Sequence, residues 1–590
     1  MFQQPQRVAR GLPTSSTIIA GQLPVSGINA RDAFARMRPD DAIDLINVLS
    51  DSYGMSTRNG FQDFAINLPG GLPVPTLMSY YPATAANSSV SSRDTAPLYN
   101  QIPIPAPRAA LPVLGGALFA CTNGTIYDIT VGGAGPWAAA PNVSGRTTDY
   151  WSWLNYQNEA SNFLCACNED GGYYTYGGAG FSTGFSPGFA TSAGGFQKVV
   201  AGPLPGQIDG IDPEKLIYLT AWKRRLWFVE KNSSRAWYLP AQQITGKATQ
   251  FDFGSNFRHG GRLVALASWT TDGGEGLDDY LVAISSQGDV VIYKGTDPDS
   301  VDTFSIRGIW YVGPLPKGSR VVDPIGGDVH ILSVLGLTQL SKLVSLGQIA
   351  AEVTEQSAGR IDPLIRAYMQ QFADRDGWYV KYVPREQMVF VGVPQVLSGQ
   401  GPIQLVLKIR QNAWSRFQGV AVSCINGHDQ LVMGGGNIDA PQYSTGGRVL
   451  QLFDNALDMV ALATPTSGNM IKCRMVGAYQ DFGSPGMFKN FNMVRPTFVA
   501  PVTPSANLTL LTDYGQTEAF TTPTLPQPSR SRWDQANWDQ GRWVGLSRPI
   551  KKWLGVNGGG YAATCQFDYV AAGGTRVTSV DYNVEQGGPL

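Results

Sequence analysis

The sequence predicts a mainly β protein with a β-propeller-like central domain. Three observations predict it. A strand–turn–strand unit recurs through the middle of the chain at blade-like spacing. Turn-forming residues are abundant, with 69 Gly and 39 Pro among 590 residues. Charge is scarce, at 15% of the chain against about 25% in an average soluble protein. With 43% apolar residues the chain is not disordered, since disorder needs low hydrophobicity and high net charge. Its length is enough to bury a large core.

The recurring unit is an apolar or alternating run, a tight turn, and a second run rich in Tyr, Val and Leu. It is read at 117–129, 163–176, 225–239, 280–295, 328–342, 386–394 with 403–417, and 429–436 with 447–454. Successive units start 46, 62, 55, 48, 58 and 43 residues apart, close to the 40–50 residues of a propeller blade with loop insertions. One hairpin cannot bury both of its faces. Radial stacking does so and leaves only short edges. Unrelated β-sandwiches are the alternative architecture. Asn123-Gly124 is the strongest turn signal, because a type I′ turn needs positive φ at both central positions. Asp170-Gly171-Gly172 and Gln287-Gly288-Asp289 are weaker forms of the same chemistry.

Outside the repeats the text changes, which divides the chain into 1–110, 111–460 and 461–590. In the first part a helix is expected over 39–50, with Asp40 and Asp41 in its first turn. Residues 67–108 are a Pro/Ser/Ala-rich extended stretch. A second helix is expected over 362–373, with Pro363 in its first turn and apolar residues at helical spacing. Residues 177–195 read as a Gly/Ser/Phe surface loop. From about residue 465 the runs IKCRMVGAYQDF, NFNMVRPTFVA, NLTLLTDY, CQFDYVAA and TSVDYNVEQ read as strands of a separate β-domain.

Several function classes fall away. Lys and Arg total 44 against 45 Asp and Glu, so the surplus of cations a dedicated DNA binder uses to neutralise phosphates is missing. No apolar run reaches the 18 residues of a membrane helix, and no apolar stretch of signal-peptide type follows Arg7 and Arg10. The expectation is a protein made in a reducing cytoplasm, its six scattered Cys being buried thiols. Cys165 and Cys167 alternate onto one strand face without further spaced ligands. The single GxSxG, Gly184 to Gly188, has Pro187 after the Ser and so lacks the backbone N–H an oxyanion hole needs. With only His259, His330 and His428, a His-rich metal site is not expected. No cofactor motif is present. The acidic cluster Asp272, Glu275, Asp278 and Asp279 has spacing that suits Ca²⁺, but a solvated hairpin loop is the expected role, as for Asp297, Asp299 and Asp302. Trp533, Trp538 and Trp543 recur every five residues, a period of neither helix nor strand, and are candidate interface anchors.

The flanking segments carry a resemblance. Asn29-Ala30-Arg31-Asp32, Pro39-Asp40-Asp41-Ala42, the aliphatic stretch Ile43 to Leu49 and the turn Arg58-Asn59-Gly60 resemble the opening of the nozzle proteins of short-tailed bacteriophages. That family is also called tail tubular protein B or the packaged-DNA stabilisation protein. The strand Ala413-Trp414-Ser415-Arg416-Phe417 is similar too, as are Phe482-Gly483 with Lys489, the Trp-Asp segment at 533–543, and the ending Tyr582 with Gly587-Gly588. The resemblance implies a non-enzymatic structural protein of the virion tail, without cofactor or metal. It implies a homo-hexameric ring below a head-to-tail adaptor ring, through which double-stranded DNA passes without specific binding. It also implies docking of tail fibres or spikes, and a gate that retains the packaged genome until ejection. On this reading the N- and C-terminal segments form a shared β-platform from which the propeller projects. Candidate gate or channel loops are those carrying Phe181, Phe185 and Phe189, and Asp272, Glu275 and Asp278. The alternatives are a propeller glycan-binding protein or glycosidase with its chemistry in the loops at one end, and another tail adhesin or fibre-attachment protein.

Overall fold

The computed structural model of the chain describes residues 16–81, 116–140, 142–143, 145–159, 161–177, 195–272, 277–300, 303–345, 359–394, 403–426, 432–436, 445–462, 464, 468–515, 520–521 and 548–587. Among these, strands dominate, and they form a propeller and a platform. No helix of the described residues is long and apolar enough to cross a membrane.

Each repeat read from the sequence is the middle of one propeller sheet. The first blade consists of Thr76–Tyr80, Ala117–Thr122, Thr125–Asp128 and Ala138–Ala139. The second is Trp151–Gln157, Asn162–Asn168, Tyr173–Gly177 and Gln197–Lys198. The third is Leu216–Trp222, Arg225–Glu230, Arg235–Tyr238 and Thr249–Asp252, and the fourth is Leu263–Asp272, Leu277–Ser285, Asp289–Gly295 and Phe304–Tyr311. A three-stranded sheet follows, Val322–Ile325, Asp328–Ser333 and Gly336–Gln339. The fifth blade is Tyr379–Val383, Met388–Gly392, Ile403–Lys408 and Ala413–Gln418. The sixth is Val422–Asn426, Val432–Gly435 and Val449–Asn455, completed on the outside by Gly60–Ala65 from the N-terminal segment.

Six four-stranded blades and the three-stranded sheet thus stand in a ring, their first strands side by side around the axis. The ring closes because every neighbouring pair shares a core. Phe119 and Leu164 join the first and second blades, Tyr173 and Phe228 the second and third, and Trp227 and Leu281 the third and fourth. Val282 and Ile331 continue to the three-stranded sheet, and Leu332 and Val391 to the fifth blade. Phe390 and Leu450 reach the sixth, and Val449 and Leu118 return to the first. Both faces of each blade are covered, so the strands read as continuous apolar runs. In Asn162–Asn168, Cys165 and Cys167 face the third blade while Leu164 and Ala166 face the first. The Asn123-Gly124 turn has φ of 54° and 70°, as its chemistry requires.

The platform is two packed sheets. One carries Val48–Asp51, Gly54–Thr57, Arg576–Gln586, Lys489–Ala500 and Arg548–Lys551, with Ser16–Gly21 and Leu554–Gly560 alongside. The other carries Ala42–Ile46, Ile471–Gly477, Ala563–Ala571, Ser505–Thr512 and Phe520–Thr521. The terminal segments are interleaved: Ser16 pairs with Glu585, Leu45 with Met475, and Met55 with Val577. Leu45, Met475, Phe491, Phe498 and Phe567 fill the space between the sheets.

Two expectations are corrected. Residues 39–50 are not helical but form Ala42–Ile46 and Val48–Asp51, with Asn47 at φ 58° as the corner between them. Burial decides this: Ala42, Leu45 and Val48 are fully buried against the platform core, and tertiary packing overrides the weak helical pattern. The boundary at residue 110 also moves, because Gly60–Ala65 and Thr76–Tyr80 are propeller strands. The second expected helix is present as Asp362–Phe372, burying Ile365, Met369 and Phe372. The loop 177–195 lies outside the described residues except at its ends.

Candidate functional site

The polar groups that meet on the propeller axis lie where the first strands of the sheets begin. Arg320, just ahead of Val322–Ile325, is half-buried there. Its Nη1 donates to the Pro75 carbonyl of the first blade and, at 3.5 Å, to the Ser423 carbonyl of the sixth. Its guanidinium carbon stands 4.6 Å from the centre of the Tyr150 ring and 5.9 Å from that of Tyr379. One side chain therefore touches four other sheets, which places it at the centre of the ring. A planar, delocalised cation suits this position because it can lie over aromatic faces and still donate in its own plane.

A second contact crosses the same end. The Glu169 carboxylate, on the second blade, accepts from Ser319 N at 3.1 Å and Ser319 Oγ at 2.5 Å. Further along the axis, Asp323 accepts from Lys381 Nζ at 3.0 Å and from Tyr382 N at 2.8 Å, joining the three-stranded sheet to the fifth blade. Burial raises the Tyr218 phenol, and the nearby Asp323 carboxylate raises it further. Burial also raises Tyr150, against the opposing pull of Arg320, and raises Tyr379. These phenols are protonated at neutral pH. Arg320 Nη2 and the Tyr379 hydroxyl are buried without a hydrogen-bond partner among the described residues. Glu169, Ser319, Asp323 and Lys381 are engaged in holding sheets together, so the arrangement braces the axis and leaves two donors.

Of the sequence-derived candidates, only Asp272 and Asp278 fall within the described residues. Phe181, Phe185, Phe189, Glu275, Trp533, Trp538 and Trp543 lie outside the described residues. Asp272 and Asp278 belong to facing strands, where Asp272 registers with Leu277 and Thr271 with Asp278. The adjacent Asp279 accepts from Lys223 Nζ at 3.3 Å and from Thr270 Oγ1 at 2.7 Å. Asp297 takes Arg225 at 3.2 Å, and Asp299 accepts from the Tyr238 hydroxyl. Asp279, Asp297 and Asp299 are thus matched with protein donors. Among the described residues no group of three or more His, Cys, Asp or Glu is placed to hold a metal ion. His259 Nδ1 sits 2.7 Å from Asp289 Oδ1, His330 is buried, and His428 lies outside the described residues. All six thiols are free and buried. Arg320, Asp323 and Lys381 escaped sequence reading because each is a single polar position in or beside a first strand, which the repeat pattern did not register, and Glu169 because it sits in a turn read only for its Asp-Gly-Gly.

No family model matches the chain, and no curated protein matches it. Solved structures with similarity include the exo-β-1,3-galactanase of Phanerochaete chrysosporium bound to β-1,3-galactotriose. It is 8% identical, with 74% of this chain and 95% of that one covered and a TM-score of 0.22. A candidate 6-phosphogluconolactonase from Bacteroides fragilis is 10% identical, with 57% and 92% covered and a TM-score of 0.30. YCF48 from Cyanidioschyzon merolae is also 10% identical, with 57% and 79% covered and a TM-score of 0.23. At these values the chemistry of this chain has to be argued from its own residues.

Proposed function

We propose that this chain is a structural protomer of a phage tail nozzle, a ring that closes the DNA exit channel, retains the genome and opens for ejection. The observation that carries the reading is the platform. Both terminal segments are used in one interleaved pair of sheets, with the propeller inserted between them. That is the arrangement expected from the resemblance in the flanking segments. The braced axis agrees with it: Arg320 and the Glu169–Ser319 contact cross the centre of the propeller. A duplex would therefore pass between protomers of a ring and not through one propeller. Near-zero net charge suits a conduit to which DNA should not adhere. The virion tail is the proposed location, with an adaptor ring and fibres or spikes as neighbours.

A second reading is a glycan-binding or glycan-cleaving propeller. It is favoured by the aromatic and charged side chains near the axis, Tyr150, Tyr218, Asp323 and Lys381, which are of the types that stack on and hydrogen-bond to sugars. Electron microscopy of the purified protein, alone and mixed with its neighbouring tail proteins, tests the first reading, with six-fold rings around a channel expected. A monomer in both samples, together with saturable binding or turnover on a glycan panel, would replace it with the second.

A further inference from the structure

The propeller and the platform share a sheet. The outer strand of the fifth blade, Ala413–Gln418, pairs in parallel with Ala42–Ile46, which pairs in turn with Ile471–Gly477. A single nine-stranded sheet therefore runs from Tyr379–Val383 of the propeller into the platform as far as Phe520–Thr521. Around this crossing lies a polar knot drawn from distant parts of the chain. Asn47 Nδ2 donates to the Gln418 carbonyl at 3.0 Å and the Lys472 carbonyl at 2.7 Å, and its Oδ1 accepts from Gln418 N at 3.0 Å. Arg58, 1% exposed, donates through Nε to Asn47 Oδ1 at 2.8 Å and grips Asp458 with two bonds of 2.7 and 2.8 Å. Its guanidinium carbon lies 4.4 Å from the ring centre of Phe61 and 5.4 Å from that of Phe417, on two propeller blades.

From this we infer that the Arg58–Asn47–Asp458 knot is a rigid coupling, which makes propeller and platform move as one body and transmits a displacement of the propeller directly to the platform. A two-domain chain joined by linkers has relative domain motion as its default. Here the joint is hydrogen-bonded β-structure with a buried bidentate ion pair, and such a geometry has no soft dihedral at which to hinge. The inference does not depend on the nozzle reading. If the chain does belong to a nozzle, a push on the propeller tilts the platform, and opening is a movement between protomers.

The test is a distance distribution between spin labels on Gln250→Cys, in the exposed outer strand of the third blade, and Ser505→Cys, on the exposed end of a platform strand. The six native thiols are buried, so the introduced cysteines label selectively. One narrow distance is expected for the otherwise unaltered chain. Several-fold broadening is expected in Arg58→Met/Asp458→Leu, which removes both charges together and leaves neither unpaired. Asn47→Gly, which keeps the corner at φ 58° unstrained and removes the side-chain hydrogen bonds, is the second variant should the first fail to fold, and broadening is expected there too. A broad distribution in the unaltered chain, or an unchanged narrow one in a folded variant, would overturn the inference.

Discussion

Asp362 opens the helix Asp362–Phe372 and is 8% exposed. Its carboxylate accepts from Gly359 N and from the Leu337 backbone. Burial nevertheless pushes its pKa up from 3.8 to about 6, the backbone bonds and Arg366 and Arg31 pulling the other way. A carboxyl whose folded pKa lies above its unfolded value holds its proton more tightly when folded. Between pH 4 and 6 the native state therefore binds more protons than the unfolded chain, and stability must fall as pH rises through that window. A shift of about two units corresponds to about 3 kcal/mol, lost by pH 7. Asp362→Asn keeps an acceptor for the backbone N–H groups without a charge to desolvate. Urea midpoints measured from pH 4 to 8 should show the variant close to the unaltered chain at pH 4 and more stable at pH 8, by about 1–3 kcal/mol. The difference between the two curves isolates this group from the other carboxylates. Parallel curves, or a variant that loses ground as pH rises, would refute the reasoning.

Three further outcomes are expected. Replacing Gly60 by Ala puts a Cβ into the Leu457 carbonyl at the strand that completes the sixth blade, and should cost about 2–4 kcal/mol in urea unfolding, in the range of severe core overpacking. Burial raises Cys165, Cys473 and Cys565 to about 12 and Cys424 to about 11, so a thiol-reactive chromogen at pH 8 should find no native Cys until denaturant is added, and then six. Arg320→Met removes a charge-assisted bond and two ring contacts at the axis; it should cost about 2 kcal/mol and raise proteolytic cutting between blades, while a surface Arg such as Arg410 should be neutral.

The sequence carried the architecture further than the site. The repeat units marked chiefly the second and third strands of the sheets, most of them central, doubly covered strands with unbroken apolar runs, such as Phe163 to Cys167. First strands were missed where they mix polar and apolar residues, as in Thr76–Tyr80 and Tyr379–Val383. Residues 39–50 misled because Asp40, Asp41 and an aliphatic run satisfy a local helix pattern, whereas the pairing of Leu45 with Met475 is over 400 residues distant and invisible locally. Arg320 and Asp458 had no signal at all, and Arg58 stood out only as part of a turn. Each is a solitary polar residue whose meaning comes from a partner elsewhere in the chain.

The closing strand of the sixth blade has a consequence for biosynthesis. Gly60–Ala65 leaves the ribosome early, but its partner Val449–Asn455 follows nearly 390 residues later. At about 5–20 residues per second the early strand waits on the order of 20–80 s with an open edge. Ser16–Gly21 waits longer still, for Arg576–Gln586. A chain interrupted before residue 449 can close neither ring nor platform, so it presents unpaired edges to the quality-control machinery of the cell. The order of assembly thereby makes translation of the late strands a condition for a finished fold.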